Sequence, residues 1–113
     1  MIFAEKCQVE SEMWWKEHAK MVSLVVQCTH PKAKFHYPPH AAASQTKHVR
    51  VDPRSERLRQ RELDHAVPLI QTALINGQDV IFHCMPSFHR APVTAAAAYR
   101  RVTGESATVE HFL

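Results

Sequence analysis

Asp79-Val-Ile-Phe-His-Cys84-Met-Pro-Ser-Phe-His-Arg90-Ala-Pro92 is the stretch on which the fold turns. Val80, Ile81 and Phe82 form a short apolar run that reads as a strand buried on both faces. The run ends in a cysteine, Arg90 follows six residues later, and Pro92 stands where a helix can start. A thiol at the tip of a buried strand, with a cation and a helix N-terminus behind it, describes a cradle for an oxyanion. Cysteine is a nucleophile only as the thiolate, and both the helix end and the guanidinium favour that form. The same groups can hold a phosphate over the sulfur.

Outward from this unit, the chain alternates between two periodicities. Met1 to Glu5 is apolar enough for an edge strand, and Ser11 is placed to cap a helix running to about Met21. Trp14, Trp15, His18, Ala19 and Met21 supply the inner face of that helix. Val22 to Cys28 is β-branched and nearly continuous, the pattern of a fully buried strand. Thr29 to Thr46, with Pro31, Pro38 and Pro39, reads as a long surface loop. His48 to Val51 alternates as a short strand that delivers Asp52 at its carboxyl end.

Leu63, Ala66, Val67, Ile70, Ala73 and Leu74 keep helical spacing between about Arg61 and Asn76, and Gly77 follows as a left-handed stop. Pro68 lies inside that pattern and predicts a bend, since an unrelieved proline there costs on the order of 3 kcal/mol. Pro92 to about Thr103 predicts another helix ended by Gly104, and Thr108 to Leu113 the start of one more. The order β-α-β, loop, β-α-β-α predicts an α/β fold with a mainly parallel central sheet flanked by helices on both faces. Ligands in such sheets sit outside the carboxyl ends of the strands, where Cys84 and Asp52 both fall.

With 113 residues, 45% of them apolar and 22% charged, the expectation is one compact domain over residues 1–113. No apolar run approaches the length of a membrane span, and no secretory leader is visible. Three cysteines without close pairing (Cys7, Cys28 and Cys84) predict a reducing, cytoplasmic or nuclear setting. The net charge of +3 conceals a basic cluster: Lys47, Arg50, Arg54, Arg57, Arg59 and Arg61 fall within fifteen residues. Such a run is most often a solvated face. If it borders the cleft, it favours anionic substrates.

His83-Cys84, five residues and Arg90, after a buried strand and before a helix, resemble the signature of the cysteine-dependent protein tyrosine and dual-specificity phosphatases. The specific likeness covers Val80 to Gly104; a weaker one in element order runs along the chain. It implies a dual-specificity-phosphatase-like fold, a phosphocysteine intermediate on Cys84, and no cofactor or metal. Arg90 and the loop residues Met85, Pro86, Ser87, Phe88 and His89 would bind the phosphate oxygens. His83 matches the family histidine that helps to hold the thiolate. Asp52, 32 residues before Cys84, stands at about the separation at which the family carries its general acid. Asp64 and Asp79 are poorer choices, one on a helix and the other at the wrong end of its strand. The resemblance also implies a phosphorylated protein as the first substrate class, with phosphoinositides or an RNA 5′ phosphate behind it.

Three positions depart from the family pattern. Ser87 replaces a common glycine, Pro86 removes an N–H from a loop that presents N–H groups, and Ala91 replaces a hydroxyl that assists the second step. The departures leave open a weak pseudophosphatase that binds phosphorylated partners without turning them over. They also point to rhodanese-like cell-cycle phosphatases and arsenate reductases, which share Cys-x-x-Ser-x-x-Arg but lack a counterpart of Asp52.

Bland alternatives stand beside these readings. Cys84 alone would pass as a small core residue. Cys28 reads first as an inert core thiol, although in some relatives a cysteine at such a site forms a reversible disulfide with the nucleophile. Cys28, His30, His36 and His40 suggest zinc ligands, but Pro38 and Pro39 deny His36 and His40 a shared helical face. The chain ends without the last helix that relatives lay over the sheet, which predicts a fragment or an oligomer in which a partner covers that face.

Overall fold

Two apolar strands that must be covered on both faces organise the molecule. The computed structural model describes residues 2–30, 32–39, 46–52, 54–84, 94, 97–98 and 100–101. Its elements are β1 (Ile2–Ala4), α1 (Lys6–Val9), α2 (Glu12–His18), β2 (Val22–Gln27), β3 (Lys47–Arg50), α3 (Glu56–Ile75) and β4 (Asp79–His83). The four strands form one sheet in the order β1-β4-β2-β3, every pair parallel. The two most apolar strands, β2 and β4, take the centre, in register at Val25↔Ile81 and Gln27↔His83. The expected α/β architecture with a parallel sheet is thus observed.

Strand alternation sends side chains to two separate cores. On one face Leu24, Val26, Val80 and Phe82 pack with Leu63, Ala66, Ile70 and Ala73 of α3, and with Ala97 and Ala98. On the other, Ala4, Val25 and Ile81 meet Val9, Trp15 and Ala19 from the α1–α2 end of the chain. Trp15 is buried, and its indole Nε1–H donates to the Val9 carbonyl at 2.7 Å, so the ring brings no unmet donor into the core.

Several boundaries differ from the sequence expectation. Ser11 caps α2, its Oγ accepting the Trp14 N–H at 3.3 Å, but the helix ends at His18 because the chain turns at Lys20 and Met21 into β2. His18 and Met21 are consequently exposed rather than part of the inner face. The short α1, with Glu5 N–H donating to Gln8 Oε1 at 2.8 Å, was not expected; four residues are too few to show a period. Helix α3 begins at Glu56, earlier than its apolar pattern, with Ser55 Oγ accepting the Leu58 N–H at 3.1 Å.

Helix α3 runs on through Pro68 and closes on Gly77 at φ +69°. Gly77 N–H donates to Leu74 O at 3.1 Å and Gln78 N–H to Ala73 O at 2.9 Å, a Schellman ending. Thr94, Ala97, Ala98, Arg100 and Arg101 are helical, and Arg101 reaches Asp64 of α3 at 2.6 Å. The ends of that helix, Gly104 and the expected helix from Thr108 lie outside the described residues. No described helix is long and apolar enough to cross a membrane.

Candidate active site at the carboxyl ends of the central strands

Cys84 follows the last residue of β4 and is 9% exposed, within the core that α3 covers. The ladder continues one step past β2, where the Cys28 N–H donates to the His83 carbonyl at 2.8 Å. Cys28 belongs to the same core as Cys84. The two thiols therefore stand on one face at the ends of adjacent parallel strands, which run about 4.8 Å apart. Neither is in a disulfide. Burial pushes the Cys28 thiol up to about 12; the Thr94 side chain acts to lower it, and the neighbouring Cys84 adds to the rise. Cys28 is thus a thiol, not a thiolate, near neutral pH.

Asp52 is carried to the same end of the sheet. Val51 N–H donates to Gln27 O at 2.9 Å, extending the β2–β3 pairing, and Asp52 comes next. It lies two strand spacings from Cys84, about 10 Å in the backbone. The carboxyl group is only 2% exposed and is held by Arg54. The Arg54 backbone N–H donates to Oδ1 at 3.0 Å, its Nε to both oxygens at 3.0 and 2.9 Å, and Nη2 lies 2.7 Å from Oδ2. Burial alone would raise the Asp52 pKa, but the bonds and charge of Arg54, helped by His30, outweigh it and hold it below the ordinary value. The group is therefore a carboxylate as it stands, whereas a general acid must carry a proton. Sequence reasoning placed Arg54 in a basic cluster and missed this pairing. The signal was there in Asp52-Pro53-Arg54, a spacing at which an aspartate accepts the backbone N–H two residues on.

His83 is fully buried on the face opposite Cys84. Its Nε2 is 2.6 Å from the Tyr37 phenol oxygen, which also donates to Gln27 Oε1 at 3.3 Å, and Gln27 Nε2 donates to Thr29 Oγ1 at 2.7 Å. The Phe35 ring meets His83 edge-on at 4.6 Å, and Tyr37 meets His48 of β3 at 4.6 Å. Burial first, and then the neighbouring His48, push the His83 pKa down to about 4, so the ring is neutral at physiological pH. The expected surface loop needs correction here. Phe35 and Tyr37 are half-buried against the sheet, and Thr29 and Pro38 are buried, because the loop supplies the cover over the β4 end on that face.

Arg90 and the loop residues Met85, Pro86, Ser87, Phe88 and His89 lie outside the described residues, as do Ala91 and Pro92. Of the basic cluster, Lys47, Arg50, Arg54, Arg57 and Arg61 are exposed and Arg59 is half-buried. Among the described residues no three His, Cys, Asp or Glu side chains converge as metal ligands. Neither the protein-family models nor the curated proteins contain a match to this chain.

Proposed function

We propose that the chain is a cysteine-dependent phosphoric monoester hydrolase with a dual-specificity-phosphatase-like fold, acting first on phosphorylated proteins. The observation that carries this reading is the position of Cys84 at the carboxyl end of the central buried strand β4, six residues before Arg90. Asp52 at the carboxyl end of β3, on the same edge of the sheet, supports it.

In this reading the Cys84 thiolate attacks phosphorus in line. An S–P bond forms as the ester P–O bond breaks, and the leaving oxygen takes a proton from Asp52, which must first leave its ion pair with Arg54 and take up a proton from water. The Asp52 carboxylate then accepts a proton from water, whose oxygen attacks phosphorus; the S–P bond breaks, returning the thiolate and releasing inorganic phosphate. Arg90 holds the non-bridging oxygens through both steps. Pro86, Ser87 and Ala91 make the second step the slower one.

A second reading has its own observation. The ion pair between Asp52 and Arg54 keeps the acid deprotonated, which suits a domain that binds phosphorylated partners without hydrolysing them. Hydrolysis of a small aryl phosphate by wild type and Cys84→Ser decides between the two. Turnover that Cys84→Ser abolishes supports the enzyme; no turnover in either, with phosphopeptide binding retained, overturns it.

A further inference from the structure

We propose that Arg59 is a further substrate-binding residue of the Cys84 site, its guanidinium donating from the first turns of α3 to an oxygen of the bound phosphoryl group. The proposal rests on the phosphatase reading of that site, but its test reads phosphate binding separately from hydrolysis.

Arg59 continues an apolar stripe, and it does so at the centre of that stripe. At about 100° per residue, Leu63, Ala66, Ile70 and Ala73 fall within about 40° on either side of the direction in which Arg59 leaves the helix axis. Those four are the residues of α3 buried in the core that also contains Cys84 and Cys28. Arg57 and Arg61 lie on the far side of the helix and are exposed. Register along the helix places Arg59 at the end of the sheet that carries the site. Helix α3 leaves the carboxyl end of β3 and returns the chain to the amino end of β4, so it runs against the strands. Near its last turns Thr72 and Ala73 line a cavity with Ser23 and Leu24 from the start of β2. From Ala73 back to Arg59 the helix rises about 21 Å, whereas β2 from Leu24 to Cys28 extends about 13 Å. Arg59 therefore stands past the strand ends, on the Cys84 face.

The side chain is held there with its charge unanswered. Its Nε is buried and has no hydrogen-bond partner, and Arg59 forms no ion pair among the described residues. An arginine that only covers apolar surface with its stem keeps its head in water, where the N–H groups are satisfied. A buried donor left unmet is costly, and that cost is relieved when an acceptor arrives from outside the chain. Asp52, the carboxylate at this end of the sheet, already gives both oxygens to Arg54. The acceptor left for Arg59 is an oxyanion in the cleft, and a guanidinium suits phosphate oxygens by its charge and by its fork of N–H groups. A charged residue at a core-facing position is a break in the local pattern of the sort that functional sites retain.

Arg59→Met keeps the apolar stem and removes the charge, whereas Arg57→Met removes an exposed charge from the same helix. Titration calorimetry with inorganic phosphate should show binding to wild type and a Kd raised about tenfold to hundredfold in Arg59→Met, the range of a hydrogen bond to a charged group. The Kd of Arg57→Met should match that of wild type. The kcat/KM for a small aryl phosphate should fall in Arg59→Met by a similar factor. In wild type, where no variant has to fold, the Arg59 Nε–H NMR signal should shift as phosphate is added and the Arg57 signal should not. The proposal is overturned by any of three results: no phosphate binding by wild type, an Arg59 signal that stays in place, or an Arg59→Met Kd no weaker than that of Arg57→Met. If phosphate binding depends on Arg59 while aryl phosphate is never hydrolysed, the anion-binding role stands and the phosphatase reading falls. If Cys84 hydrolyses the ester and phosphate binding ignores Arg59, the phosphatase reading stands and this proposal falls.

Discussion

Replacing His83 by Gln should change how stability depends on pH, by an amount that follows from burial. An unfolded imidazole titrates near 6.5. In the folded protein burial, with His48 nearby, brings His83 to about 4. As pH falls through the window from about 6.5 to about 4, the unfolded chain takes up a proton that the folded chain does not, so stability is lost. The His83 contribution is therefore complete above the unfolded pKa and disappears as pH falls through the folded one. At about 1.4 kcal/mol per unit, the full loss is about 3 kcal/mol, and between about pH 7 and about pH 4.5 it is about 2.5 kcal/mol. Urea unfolding followed by Trp14 and Trp15 fluorescence measures it. The acidic groups titrate in both proteins and cancel in the comparison. Wild type should therefore lose about 2.5 kcal/mol more than His83→Gln over that range. A difference between the two proteins that stays constant with pH would refute a buried, neutral His83.

Other perturbations test other parts of the structure. Ile70→Ala, which opens a hole in the α3 core, should cost about 2–5 kcal/mol in urea unfolding, whereas Ile75→Ala, 83% exposed on the same helix, should stay within about 0.5 kcal/mol. Arg54→Ala removes the partner that keeps Asp52 deprotonated, so a ¹³C carboxyl titration should place the Asp52 pKa higher than in wild type. If Asp52 is the general acid, the alkaline limb of the kcat profile moves up with it. Hydrogen peroxide should take Cys84 through the sulfenic to the sulfinic acid, because the buried Cys28 presents almost no thiolate near neutral pH with which to displace the sulfenic oxygen. Mass spectrometry should show the same Cys84 products in wild type and Cys28→Ala, and a Cys28–Cys84 disulfide in wild type would contradict an inert Cys28.

The sheet was readable from the sequence because β2 and β4 are apolar almost without interruption, a pattern that only a strand covered on both faces sustains. Gly77 was readable for a similar reason: the left-handed turn after α3 has a residue-specific cost. The first turn of α3 was not, since Glu56, Arg57, Arg59 and Gln60 offer no apolar period and only Ser55 marks the start. Cys84 and Asp52 could be placed at one end of the sheet from the sequence because the strands that carry them were legible, and His83 followed as the last residue of β4. Tyr37 and Arg54 were missed because their meaning lies in partners. Tyr37 meets a partner 46 positions away, His83, from within a proline-rich loop that reads as surface. Arg54 is one of six basic residues until its pairing with Asp52 singles it out.

The central claim is that Cys84 takes a phosphoryl group from a substrate. Mixing the protein with a small aryl phosphate, quenching in acid within the first turnover and mapping the phosphoryl adduct by mass spectrometry tests it most directly. The expected result is a burst of aryl alcohol that approaches one equivalent, with the phosphoryl group on Cys84 and no burst in Cys84→Ser. Alcohol released without any adduct on Cys84, or at the same rate by Cys84→Ser, would contradict it.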